Sequence, residues 1–302
     1  MRRVFIFLLT NIAIILVLNI MLSLLGINYF FYKIGLNIKI LTISSIIFGF
    51  TGSIISLLLS KKIAKWSMNL MVIKNPSNFT EDWLLKTVNK ISKNANISTP
   101  EVAIYNGEIN AFATGAFKNS SLIAISANLL ESMTKLEIKA IIAHEISHIS
   151  NGDMVTMLLI QGVINTFIIL ISRIFSYILD CFLLNSYDDS NYNSNYNHKI
   201  YGLITTILQI FLGFGASIVV ACFSRNREFR ADHGSAKLLG TPDPMISALR
   251  HLSNISIVND LPKSIAILGI NNNFKKKSFL KLFATHPSFE KRIAILSNLY
   301  KS

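Results

Sequence analysis

Four stretches of this chain carry no charged side chain: residues 4–32, 40–60, 154–172 and 200–224. Each is long enough to cross a hydrocarbon core of about 30 Å, which takes about 20 apolar residues as a helix. Inside such a core every backbone N–H and C=O must be paired, and a helix pairs them within itself. Four buried helices of a water-soluble domain would be the alternative. It fits poorly, because ordinary helices average about 11–12 residues and keep a polar face. Composition agrees with spans: 15% of the residues are charged, where soluble domains average about 25%. The expectation is an α-helical integral membrane protein with four transmembrane helices in two hairpins. The first stretch, behind Arg2 and Arg3, is longer than the apolar core of a signal peptide, and no A-x-A cleavage pattern follows it. It reads as an uncleaved anchor.

Orientation follows from lysine and arginine placement. Arg2 and Arg3 precede the first span, Lys61, Lys62 and Lys65 follow the second, and Arg225, Arg227 and Arg230 follow the fourth. The Asn/Tyr-rich loop between spans three and four has no Lys or Arg before His198 and holds Asp188 and Asp189, while Lys33 and Lys39 between the first two spans run against the pattern. The balance puts both termini and residues 61–153 in the cytoplasm. The expected organisation is a first transmembrane hairpin (1–60), a first cytoplasmic part (61–153), a second hairpin (154–223) and a second cytoplasmic part (224–302). The two cytoplasmic parts together are long enough for one core of ordinary size. The net charge of +13 suits contact with an anionic lipid surface, a lysine run at 275–277 included. No nucleic-acid-binding motif accompanies that run, so nucleic acid is not expected as a partner.

Within the first cytoplasmic part, residues 83–97 have apolar side chains at helical spacing, and 100–105, 110–117 and 121–126 read as three strands. A helix then begins at Thr134, where Glu137 three residues on completes a capping-box pattern. Asn151-Gly152 ends it. The stretch "IIAHEISHISNGD" (141–153) lies on this helix. Residues four apart share a face, so His144 and His148 can bind one ion through their imidazoles. Both stand among isoleucines, where two unpaired imidazoles would be costly to bury. In the H-E-x-x-H arrangement of metalloproteases, zinc acidifies a water and the glutamate, here Glu145, accepts its proton. A third ligand must come from elsewhere. Glu228 and Asp232, again four apart on a helix, are the candidates, and spacing does not choose between them.

The successive motifs "INAFATG" (109–115), "AHEISHISNGD" (143–153), "SRNREFRAD" (224–232) and "THPSFEKRI" (285–293) together resemble the HtpX family of bacterial inner-membrane zinc metalloproteases. That family stands with the CAAX prenyl proteases among the membrane gluzincins. The resemblance runs the length of the chain. It implies a cytoplasmic α+β zincin-like protease domain with one zinc ion per chain. His144, His148 and Glu228 would be the ligands and Glu145 the general base, with Asp232 orienting a ligating histidine from behind. A longer side chain at 228 also suits a ligand supplied by a separate helix. The resemblance further implies that Asn110, Ala111 and Phe112 lie on an edge strand pairing with extended substrate, and that His286 donates to the tetrahedral oxyanion. Expected substrates are proteins or peptides, including misfolded or damaged membrane proteins, in a stress-response and quality-control role.

Two rivals are weighed on the same residues. An intramembrane protease of the site-2 type embeds H-E-x-x-H in a spanning run, but here Lys135, Glu137, Lys139 and Asp153 flank it. A non-catalytic zinc-binding protein or metal transporter would place ionisable groups inside its spans and has no use for Glu145.

Overall fold

The computed structural model describes residues 38–184, 194–259 and 286–300. Eight helices lie among them: α1 (Ile38–Ser67), α2 (Phe79–Asn94), α3 (Ala127–Ser132), α4 (Lys135–Asn151), α5 (Asp153–Leu184), α6 (Ser194–Leu239), α7 (Asp243–Asn259) and α8 (Phe289–Leu299). The four strands are β1 (Met71–Val72), β2 (Glu101–Tyr105), β3 (Ala111–Thr114) and β4 (Leu122–Ser126). Three helical segments are long and apolar enough to cross a membrane: Ile38–Ser67, Asp153–Leu179 and Leu203–Leu239. They contain the charge-free stretches 40–60 and 154–172 and all but the first three residues of 200–224. The fourth, residues 4–32, lies outside the described residues, as does the lysine run at 275–277.

The described residues divide into two compact units, with boundaries at 55/56, 157/158 and 219/220. The first holds the apolar parts of α1, α5 and α6. Its outward faces carry side chains such as Ile43, Ile47, Phe48, Phe211 and Phe214, which only a hydrocarbon solvent would accept without cost. Within it, α1 and α5 approach through small residues. A Cβ on Gly49 would run into Thr166, and one on Gly162 would lie 2.7 Å from the Phe50 ring. Such close backbone approach is the usual contact between helices in lipid. Asn165 donates to Ser53 at 3.4 Å, and Arg173 donates to Ser44 at 3.2 Å and lies 5.6 Å from the Phe48 ring.

The second unit is built on a sheet of order β1-β2-β4-β3. β2 and β4 are parallel, with Val102 opposite Ile123, and β3 runs antiparallel to β4, with Phe112 opposite Ala124. All five residues of β4 are buried, as expected of a strand covered on both faces. One face packs Ile123 and Ile125 against Leu84, Val88 and Ile91 of α2 and Ile138, Ile142 and Ile146 of α4. Each such side chain, fully buried, contributes about 1.5–3 kcal/mol. The other face joins Ala103, Tyr105 and Leu122 to Leu70, Val72 and Phe112. A third cluster brings Ala140 of α4 to Ala236 of α6, Leu249 of α7 and Leu296 of α8, so residues from both expected cytoplasmic parts share one core. Lys61 and Lys65 at the end of α1 pair with Glu101 of β2 at 2.9 and 2.7 Å.

The expected strand at 110–117 is shorter than the sequence suggests. It stops at Thr114 because Gly115 takes φ 131, where an added Cβ would meet Ser120 and Ser121 backbone. Helix α4 begins and ends at its sequence signals. Thr134 and Glu137 form the reciprocal capping box, and Gly152 closes the helix at φ 68.

Candidate metal centre

Capping fixes where α4 starts and hence which face His144 and His148 occupy. That face is turned inward, and both rings are buried, 6% and 8% exposed. They meet edge to face with centroids 4.7 Å apart, and their Nε2 atoms lie 3.2 Å from one another. Helix α6 brings Glu228 to the same point. Its Oε1 stands 3.4 Å from His148 Nε2 and its Oε2 3.6 Å from His144 Nε2. The approach of the two helices is set by Gly234, where a Cβ would collide with Ser147, and by Ser235, whose hydroxyl donates to the Ala140 carbonyl at 2.8 Å.

One donor atom from each of His144, His148 and Glu228 lies within 4.8 Å of the others. The spacing suits a shared ion. Two imidazole nitrogens at the usual zinc–nitrogen length of about 2.0–2.1 Å and a tetrahedral angle stand about 3.3 Å apart, against 3.2 Å here. Glu228 is 2% exposed, and its Oε2 makes no aligned hydrogen bond among the described residues, although ion-pair partners stand 2.9 to 3.6 Å away. A buried carboxylate oxygen without an aligned donor is free to accept a cation. The residues fit a metal.

Behind the three donors stands a ring of charge. Asp232 Oδ1 is 3.0 Å from His144 Nδ1, close enough to pair but off-axis for a hydrogen bond. Arg292 grips Asp232 with two bonds, Nε to Oδ2 at 2.8 Å and Nη2 to Oδ1 at 2.5 Å, and its Nη1 lies 3.6 Å from Glu228 Oε2. His286, its side chain 67% exposed, sets Nδ1 2.9 Å from Glu228 Oε2. On the opposite side His148 Nδ1 makes a 2.7 Å hydrogen bond to Asp153 Oδ2, and Arg230 reaches Asp153 Oδ1 at 3.1 Å.

This setting favours positive charge at the centre. Burial alone would raise the Glu228 carboxyl, but the three histidines around it hold it far below the usual carboxylate range. Burial opposes charge on His148 too, yet Asp153 and Glu228 push it up to about 9. His144 is likewise raised against its burial by Asp232 and Glu228. Asp232 is held ionised, against its burial, by Arg292 and His144. The carboxylates together favour positive charge at this point, and a protonated imidazole or a metal ion would each supply it.

The sequence-predicted residues thus fall into two groups. His144, His148, Glu228, Asp232 and His286 come together, with Glu145 half-exposed on the same turn of α4 and its charge felt by His148 and Arg292. Ala111 and Phe112 lie on β3, which packs against α4. Asn110 precedes them, its backbone tied to Ser126 through both N–H and C=O. Among the described strands β3 pairs only with β4, so its other edge stays unpaired by them. Sequence reasoning missed Asp153 and Arg230. Asp153 carried one usable signal, its place directly after a helix-ending glycine five residues beyond a histidine ligand candidate. The partner of Arg292 had no local signal, since Asp232 lies 60 residues away.

Comparison with known proteins agrees with the site. The family profile described as Peptidase family M48 matches residues 78–300. A protein named Protease HtpX homolog from Herminiimonas arsenicoxydans is 51% identical over 299 residues, covering 99% of this chain and 100% of the relative. Its namesake from Janthinobacterium sp. (strain Marseille) is 50% identical over 299 residues, with the same coverage. Among solved structures, the crystal structure of S. mikatae Ste24p shares the fold at a TM-score of 0.56 and 17% identity, covering 94% of this chain and 65% of that one. With a family match over most of its length and relatives aligned end to end, the chain belongs to peptidase family M48 and is a metalloprotease.

Proposed function

We propose that this protein is a zinc-dependent endopeptidase of the bacterial inner membrane that cleaves misfolded or damaged membrane proteins. The observation that carries the reading is the convergence of His144, His148 and Glu228 donors within 4.8 Å, on a helix pair of which α4 packs against β3. In this reading these three residues hold one zinc ion per chain. Bound there, zinc would polarise a peptide carbonyl and acidify a water. Glu145 takes a proton from the attacking water and passes it to the leaving amine nitrogen, the work of a general base that becomes a general acid. Asp232, held by Arg292, steadies the His144 ring. His286 donates to the oxygen that becomes negative as the carbonyl turns tetrahedral, a role its exposure permits. Asn110, Ala111 and Phe112 receive an extended substrate backbone along β3.

The proposed setting is a four-span protein with two hairpins (1–60 and 154–223), cytoplasmic termini, and a protease domain formed by 61–153 with 224–302. The lysine and arginine bias supports that orientation. The test is detergent-purified protein incubated with unfolded casein, with zinc and with chelator. Glu145→Gln is expected to keep stoichiometric zinc and lose at least ~10²-fold in rate. Near-normal turnover in that variant refutes the mechanism. Zinc binding without cleavage in the wild type would turn the reading toward a non-catalytic zinc protein or a transporter.

A further inference from the structure

We propose that Asp153 is a positioning residue for the metal centre: it fixes the His148 ring from behind, and Arg230 fixes Asp153. The inference rests on the reading of His144, His148 and Glu228 as metal ligands, and assigns a role to two residues outside that set.

The side chain of Asp153 is 1% exposed. A carboxylate taken so fully from water needs compensation on both oxygens, and it has it. Oδ2 accepts from His148 Nδ1 at 2.7 Å, and Oδ1 accepts from Arg230 Nη2 at 3.1 Å. The Asp153 carbonyl also lies 3.5 Å from Arg227 Nη1. With Nδ1–H committed to Asp153, the neutral His148 ring, the form that binds a metal, must present Nε2 as its lone-pair nitrogen, and Nε2 is the atom that faces His144 and Glu228. The bond also fixes the ring's rotation. A ligating histidine needs both settings, and a carboxylate behind the ring supplies them.

The backbone delivers Asp153 to this place. Helix α4 closes at Gly152 with φ 68, and an added Cβ there would meet nothing within 4 Å. The glycine is therefore needed for its left-handed backbone and not for space. That turn brings the next residue, the first of α5, back beneath His148. Arg230 arrives from α6 two residues after Glu228. One hydrogen-bonded chain, His148–Asp153–Arg230, thus ties the second histidine to the helix that supplies the carboxylate ligand.

The arrangement mirrors His144–Asp232–Arg292 with a difference in strength. Arg292 is 7% exposed and makes two bonds to Asp232, whereas Arg230 is 45% exposed and makes one to the Asp153 side chain. The His148–Asp153 bond, however, is well aligned where the His144–Asp232 contact is off-axis. Asp153 should therefore matter directly to the metal, and Arg230 should matter less.

The experiment measures zinc affinity of the full-length protein in detergent by competition with a chromophoric chelator. Thermal unfolding of each metal-free variant is followed in parallel. Asp153→Asn is expected to weaken zinc binding about 10- to 100-fold, the usual effect of losing such a partner. Arg230→Gln should weaken it by a smaller factor, about threefold or more on the same scale. A purely structural role would lower the metal-free unfolding temperature and leave the folded protein's zinc affinity unchanged. Zinc binding by Asp153→Asn within twofold of wild type overturns the proposal. Should Asp153→Asn not fold, the partly exposed Arg230 decides, and wild-type affinity in Arg230→Gln overturns it equally. A wild type with no measurable zinc affinity would instead sink the metal-ligand reading on which this inference rests.

Discussion

Replacing Gly234 by alanine tests how closely the helices that carry His144, His148 and Glu228 must approach. On intrinsic grounds the change should stabilise α6, since glycine inside a helix costs about 1 kcal/mol relative to alanine. The packing argues the other way. An added Cβ would overlap the Ser147 hydroxyl and lie 2.8 Å from Ser147 Cβ, where carbons rest at about 3.5–4.0 Å. Relief therefore requires α4 and α6 to separate by roughly 1 Å at this level, given those contact radii. Overpacking of this kind costs about 1–3 kcal/mol, which outweighs the propensity gain or cancels it. The larger effect should fall on the centre. Glu228 precedes Gly234 on α6, and its oxygens now stand 3.4 and 3.6 Å from the two Nε2 atoms. Widening those gaps moves Glu228, the proposed third ligand, out of range, so Gly234→Ala should lose at least about tenfold in zinc affinity, a change worth about 1.4 kcal/mol. Ser147→Gly removes both offending atoms, at the expense of the Asn151–Ser147 hydrogen bond of 3.3 Å. Combined with Gly234→Ala it should restore part of the lost affinity, with a coupling of about 0.5–3 kcal/mol between the two sites. Zinc competition and thermal unfolding on all four proteins provide the cycle. Full zinc affinity in Gly234→Ala, or a double variant no better than the sum of the singles, would refute the close contact.

Other outcomes follow from the same geometry. Glu228→Ala should purify without zinc and be inactive, whereas Asp232→Ala should bind zinc about 10- to 100-fold more weakly and keep residual activity at high zinc; metal content and casein cleavage separate the two, and the reverse ranking would move the ligand role to Asp232. Glu137 resists burial's upward push through Ser247, Thr134 and His251, which lower its carboxyl to about 2. Its stabilising contribution is present above the unfolded carboxylate range and is lost as pH falls from about 4.5 through 2. Glu137→Gln should therefore lower the unfolding temperature at neutral pH and flatten its acid dependence, and an unchanged acid limb would count against the assignment. A cysteine at position 193 should label with an impermeant thiol reagent from outside the cell and one at position 86 should not; the opposite pattern overturns the proposed orientation.

What the sequence revealed, and what it hid, follows from the range of the interactions involved. Helix α4 was legible because all its determinants are local: the Thr134–Glu137 box, the i,i+4 histidines and the Gly152 stop. The three described helices long and apolar enough to cross a membrane were legible for a similar reason, since absence of charge over about 20 residues needs no partner to be recognised. The Glu228/Asp232 pair could be located but not ordered by spacing, because both share a helical face. Distances of 3.4 and 3.6 Å put Glu228 against the Nε2 atoms, while Asp232 stands behind His144 at Nδ1. Arg292 could not be assigned from sequence, because its partners arrive only when α8 packs on the core. Two-residue β1 was equally hidden. Its pairing with Ile104 and Ala103 is dictated by the sheet it joins and not by any pattern of its own.

The edge of β3 that no described strand pairs with carries a consequence for how such a protease would choose its victims. The strand spans only Ala111–Thr114, and an edge of this kind reads backbone amides in place of side-chain identity. To lie along it under the proposed reading, a substrate must offer about four consecutive residues whose N–H and C=O groups are not already spoken for. A residue inside a native helix or sheet meets that condition only when its segment opens locally, and such openings range from near zero free energy at frayed ends to the full folding stability in a core. Every 1.4 kcal/mol of opening cost lowers the cleavable population tenfold. Cleavage rates would then rank segments by how often they come undone, so that one strand edge measures local stability across substrates of unrelated sequence.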